Sequence, residues 1–114
     1  MKIVTVSDEF DLNKILKSDS KIILDFFANW CGPCKILSKV IESVDKEKFN
    51  DVTLVKVNVD QFQKVSSAYN VRSLPTLVFT DESLASGERS VLKTKVGSVT
   101  RDDLEKLIGE IYEK

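Results

Sequence analysis

Trp30-Cys31-Gly32-Pro33-Cys34-Lys35 contains both cysteines of the 114-residue chain. Two thiols three positions apart are suited to disulfide exchange, in which one sulfur attacks a disulfide and the other resolves the mixed disulfide that forms. Upstream, Ile22, Ile23, Leu24, Phe26 and Phe27 form a short apolar run of strand-forming residues; downstream, Ile36, Leu37, Val40, Ile41 and Val44 recur at helical spacing. The pair therefore sits at a strand-to-helix junction. Pro33 suits the first helical turn, where its missing N–H has no partner to lose. A helix opening around Cys31 to Pro33 leaves Cys31 exposed, and the free N–H groups and positive end of the helix favour a thiolate there, making Cys31 the attacking sulfur. Cys34 lies one turn deeper. Residues three apart on a helix have Cβ atoms roughly 5–6 Å apart, so a small adjustment closes a disulfide. The same spacing occurs in zinc sites, but such a site wants four ligands. With two cysteines and no histidine, only a dimer would complete one, and no metal is expected.

Seventeen basic and eighteen acidic residues leave a net charge of −1 with no basic cluster, which argues against nucleic acid as a partner. No apolar stretch approaches membrane-spanning length, and residues 1–10 mix polar and apolar types unlike a secretory leader. A cytoplasmic protein is expected, because a reducing compartment is where such a cysteine pair cycles. The absence of histidine also removes any Cys–His nucleophile.

The remaining chain supplies elements to hold the pair. Ile3–Val6 reads as a strand, Ser7 as an N-cap, and residues 8–16 as a helix with Leu12, Ile15 and Leu16 on one face, ended by Ser18-Asp19-Ser20. Residues 21–27 are apolar at nearly every position, as in a central strand covered on both faces. The long helix is expected to run to Lys48, followed by a strand over 53–59 and a short helix over 64–69 with Val65 and Ala68 inward and Asn70 as a left-handed cap. Strands over 76–80 and 91–96 flank a polar turn, Asp81 to Ser90, containing Gly87, which lies at the far end of the hairpin from the dithiol. Thr100 to Asp103 has capping-box spacing, and Leu104, Leu107, Ile108, Ile111 and Tyr112 trace one face of a last helix. The order βαβαβαββα predicts a single α/β domain over residues 1–114, with a mixed sheet of about five strands and four helices on its two faces.

Asp25 stands inside the apolar strand on the face shared by Ile23 and Phe27. An ordinary Asp would sit at a strand end in water. With apolar flanks, burial instead raises its proton affinity, and a carboxyl below Cys34 is placed to exchange protons with that thiol. Trp30 abuts the exposed thiol and reads as a flat apolar flank of a docking surface. On composition alone, Pro75 is a strand-start proline, Gly97 a strand-ending glycine and Lys56 a solvated strand lysine.

Phe26-Phe27-Ala28-Asn29-Trp30-Cys31-Gly32-Pro33-Cys34-Lys35 resembles the active-site signature of the thioredoxin family, and the resemblance runs through nearly the whole chain. It implies the thioredoxin fold and a general protein-disulfide reductase with Cys31 as nucleophile and Cys34 as resolving thiol. It also implies a buried acid at Asp25, with Lys56 as its charge partner and Trp30, Gly32 and Pro33 as parts of the motif. Pro75 becomes a cis proline set against the dithiol, Leu74 the residue whose backbone pairs with an extended client, and Gly97 a position whose missing side chain admits that client. No cofactor beyond the cysteine pair is implied. The partners implied are a thioredoxin reductase and disulfide-containing clients such as peroxiredoxins or reductases, with the protein acting as a monomer. Lys39 stands where many members have a helix-kinking proline, the segment from Pro75 to Gly97 is longer than in short members, and Leu74 replaces the more usual Ile or Val. The rival reading is a redox-inactive binding or subunit module. The presence of Pro33, Asp25 and Pro75 together argues against it.

Overall fold

A computed structural model describes residues 1–18, 21–83 and 89–113. The elements follow in the order β1 (Lys2–Thr5), α1 (Glu9–Ser18), β2 (Ile22–Phe27), α2 (Gly32–Ser43), β3 (Thr53–Asn58), α3 (Gln63–Ala68), β4 (Thr76–Ser83), β5 (Arg89–Val96) and α4 (Arg101–Tyr112). They build one five-stranded sheet in the order β1-β3-β2-β4-β5. β3 runs parallel to β1 and β2, whereas β4 is antiparallel to both β2 and β5.

Strand alternation divides the core into two layers. Ile23, Leu54, Leu77 and Phe79 pack with Leu37 and Ile41 of α2 and Leu104 and Ile108 of α4. Ile22, Leu24, Phe26, Val55 and Val78 face the other way, onto Leu12 of α1 and Phe62 at the start of α3. β2 is the central strand and buried along nearly its whole length, as its unbroken apolar run predicts. Each fully buried Leu, Ile or Phe contributes about 1.5–3 kcal/mol, so β2, which carries four of them, is the anchor from which the cysteine loop emerges.

Several boundaries differ from the sequence expectation, each for a local reason. Asp8, not Ser7, caps α1, its Oδ1 accepting the Asp11 amide at 2.8 Å; the expected stop at Asp19-Ser20 lies outside the described residues. α2 ends at Ser43 and not Lys48, because the Asp45 carboxylate accepts the amides of Glu47 and Lys48 and draws the chain into turns. In α3 Val65 packs on the core as expected, joined by buried Ser66, whose hydroxyl donates to the Phe62 carbonyl at 2.8 Å, while Ala68 is exposed. Asn70 adopts φ 56° after α3, the left-handed conformation its position predicts. On α2, Ile36 is exposed rather than inward, and Lys39 sits on an uninterrupted helix.

The segment expected as a turn over 81–90 contributes to both strands, since β4 reaches Ser83 and β5 begins at Arg89; Gly87 lies outside the described residues. Arg89 is buried. Its Nε donates to Thr80 Oγ1 at 2.8 Å and its Nη1 to the Leu16 carbonyl at 2.7 Å. Thr80 Oγ1 in turn donates to the Ile22 carbonyl at 2.8 Å, and the Tyr112 hydroxyl donates to the Thr80 carbonyl at 2.7 Å. One guanidinium thus begins a network that joins β5, β4, β2, α1 and α4. Arg89→Ala is expected to destabilise the fold by about 2 kcal/mol, lowering the urea midpoint by roughly 1 M. Arg89→Lys is not expected to restore it, since an ammonium lacks the fork. An unchanged midpoint for the alanine variant would mean that the network adds no stability.

Candidate active site

The loop leaving β2 delivers Cys31 to the start of α2, where it is the N-cap residue, with φ −89° and ψ 110°. Its Sγ accepts the Cys34 amide at 3.2 Å, so one of the free N–H groups of the first helical turn points at sulfur. Gly32 and Pro33 occupy that turn. Cys31 and Cys34 are joined as a disulfide with Cα atoms 5.3 Å apart. Cys31 is only 5% exposed, against the expectation of an exposed thiol. In the disulfide, Ala28 and Cys34 pack on Cys31, and Phe27, Val59 and Leu74 close around the group.

Asp25 lies on β2 directly below, between Lys56 of β3 and Leu77 of β4. A cleft of about 170 Å³ lined by Asp25, Phe27, Cys34, Ser38 and Lys56 connects carboxyl and sulfur. Asp25 is 2% exposed and its Oδ1 has no hydrogen-bond partner. Burial raises its pKa from 3.8 to about 6, only partly opposed by the Lys56 charge. Lys56 is thus the neighbouring positive charge that acts on Asp25. Its Nζ donates to Ser38 Oγ at 2.8 Å and lies 5.5 Å from the centre of the Phe27 ring. Ion pairs among the described residues include Lys21–Asp51 and Arg101–Asp102, both away from this cleft.

On the other side of the disulfide a groove of about 490 Å³ runs between the Trp30-Cys31-Gly32-Pro33 loop and the segment from Val71 to Leu74. Trp30 is 72% exposed and forms one wall, with its indole Nε1 donating to Asp60 Oδ2 at 3.0 Å. The Leu74–Pro75 bond is cis, and Leu74 packs against the cluster formed by Ala28, Cys31 and Cys34. The Gly97 amide donates to the Pro75 carbonyl at 2.9 Å, which ties the end of β5 to the start of β4 beside the dithiol. Gly97 has φ 91°, and a Cβ added there meets no protein atom within 4 Å, so the space over it is open. All the residues singled out in the sequence converge on this end of the sheet. Asp60 and Ser38 were not among them. Ser38 is one helical turn beyond Cys34 and is legible from spacing, whereas Asp60 lies 30 residues from Trp30 and carries no local signal.

A family model described as Thioredoxin matches residues 2–110. The thioredoxin of Mycoplasmoides gallisepticum is 37% identical over 103 residues, covering 90% of this chain and 96% of that protein. The thioredoxin of Buchnera aphidicola from Acyrthosiphon pisum is 36% identical over 109 residues, covering 96% and 95%. Among solved structures, a mutant thioredoxin from Halobacterium salinarum is similar with a TM-score of 0.77 and 33% identity over 99% of this chain and 93% of that one.

Proposed function

The chain belongs to the thioredoxin family and is a protein-disulfide oxidoreductase, and from that premise we propose that Cys31 is its attacking thiol and Cys34 its resolving thiol. The observation that carries the assignment is the Cys34 amide directed at Cys31 Sγ at the head of α2, since the same N–H and helix end stabilise a thiolate on Cys31 once the pair is reduced. The Cys31 thiolate attacks one sulfur of a client disulfide, a Cys31–client S–S bond forms, and the client's other sulfur leaves as a thiolate. Cys34 then gives its proton to the Asp25 carboxylate and attacks Cys31 Sγ. The remaining client sulfur leaves, two electrons have passed to the client, and the Cys31–Cys34 disulfide is restored. Burial of Asp25 supports this role, because a carboxyl with its pKa near 6 takes and returns a proton close to neutral pH. Gly32 and Pro33 shape the first turn of α2, and Lys56 tunes the charge around Asp25.

Family membership implies a thioredoxin reductase as the source of electrons and disulfide-containing proteins as clients. Clients including peroxiredoxins and reductases would lie in extended form along the groove, against Trp30, the Leu74 backbone and Pro75, with Gly97 leaving room for them. The chain would act as a monomer, one thioredoxin domain over residues 1–114, in the cytoplasm. No described helix is long and apolar enough to cross a membrane. Nothing among the relatives favours a redox-inactive module.

Client docking is tested by Gly97→Asn, because Asn tolerates positive φ while adding bulk to open space. Reduction of insulin is expected to fall about tenfold, a barrier change of roughly 1.4 kcal/mol, while a small aromatic disulfide is reduced within about twofold of the wild-type rate. Equal rates with both substrates in both proteins would remove Gly97 from the docking surface.

A further inference from the structure

The Asp25 cleft contains a hydroxyl that the thiol chemistry does not use. Ser38 sits on α2 four residues beyond Cys34, half-buried, and its Oγ accepts a hydrogen bond from Lys56 Nζ at 2.8 Å. Lys56 and Asp25 are register partners across the parallel β2–β3 pair, so the two side chains leave the same face of the sheet. Here the ammonium is held on α2 and over the Phe27 ring, and Asp25 Oδ1 is left buried with no partner. The charged and titratable groups that line the cleft are Lys56 from β3 and Lys35 and Cys34 from α2; β4 presents Leu77 beside Asp25.

We propose that Ser38 is a positioning residue: by accepting the Lys56 ammonium it keeps that charge off the Asp25 carboxylate, and so sets how much of Asp25 carries a proton to exchange with Cys34. This rests on the proton-transfer role given to Asp25 above. The physics is Coulombic. A cation drawn closer to a buried carboxylate favours the ionised form, and the effect is larger in a cleft than in water. Without the hydroxyl, Lys56 loses its anchor on α2, and its next available acceptor is the unpartnered Asp25 oxygen.

The test is the titration of the Asp25 carboxyl, followed by carbon NMR in the oxidised protein, where Cys34 does not titrate and the two groups cannot mix. Ser38→Ala is expected to lower the Asp25 midpoint by about half a pH unit to one unit, a roughly three- to tenfold drop in proton affinity. Ser38→Thr, which retains the hydroxyl, is expected to restore it. In a Lys56→Met background, Ser38→Ala is expected to leave the midpoint where Lys56→Met alone puts it, because the effect runs through the ammonium. A midpoint that stays or rises in folded Ser38→Ala overturns the proposal, as does an equal shift with and without Lys56. Failure of the Asp25 role would be distinct: the midpoint would move as expected, yet Asp25→Asn would resolve mixed disulfides at the wild-type rate.

Discussion

Cys31→Ser is expected to abolish protein-disulfide reduction, leaving only the rate of the added dithiothreitol, while Cys34→Ser is expected to attack clients once and stall as a covalent mixed disulfide. The asymmetry follows from the helix. The sulfur of Cys31 caps the first turn of α2 and accepts the Cys34 amide, whereas Cys34 lies inside that helix above the Asp25 cleft. A thiolate is stabilised by N–H groups and the helix end at the first position. At the second, it must form by giving up a proton to a nearby base. The check is non-reducing electrophoresis of each variant with a disulfide-containing client, followed by release with dithiothreitol. Alkylation of the reduced wild-type protein at neutral pH should label Cys31 first. If Cys34 were labelled faster, or if Cys31→Ser were the variant that trapped clients, the two roles would be reversed.

Asp25→Asn is expected to stabilise the oxidised protein at neutral pH and to slow turnover. Burial raises the folded-state pKa of Asp25 to about 6 from an ordinary 3.8, so the native state holds its proton more tightly than the unfolded chain does. The stability associated with the protonated carboxyl is then complete below the unfolded value and is lost as pH rises through the folded one. Above about pH 6 the whole penalty is present, about 3 kcal/mol for a shift of this size. Asn escapes it, but its amide is also desolvated, so a net gain of about 2 kcal/mol at pH 7 is expected, a rise in Tm of roughly 8–10 °C. The difference between the two proteins should shrink below pH 6 and vanish or reverse near pH 4. Turnover should fall by about tenfold or more near neutrality, where Cys34 depends on a base, and should recover at high pH, where thiols ionise unaided. Thermal melts and insulin reduction between pH 4 and pH 9 provide the check. Superimposable melting curves across that range would mean that Asp25 carries no burial penalty.

The chain by itself determined what is local or periodic. The dithiol spacing, the proline of the first helical turn and the apolar run of β2 are covalent neighbours, and the buried faces of α2 and α4 follow from a 3.6-residue repeat that holds wherever the helices are packed. An acid inside an apolar strand was likewise enough to mark Asp25 as buried. What only the tertiary structure decided depends on contacts between distant segments. Val59 and Leu74, far from Cys31 along the chain, pack against the cluster that buries it, which the helix start alone does not reveal. α2 stops short of where its helical pattern continues because a single carboxylate, Asp45, competes for the backbone amides there. Arg89 and Ser90, which read as the end of a polar turn, are strand, because β4 offers them a pairing edge and Thr80 and the Leu16 carbonyl accept from the Arg89 guanidinium. Lys56 faces Asp25 by register, but the Ser38 hydroxyl decides where its charge rests. Side-chain polarity is written in the sequence; which partner satisfies it is set by the packing that brings β3 under α2.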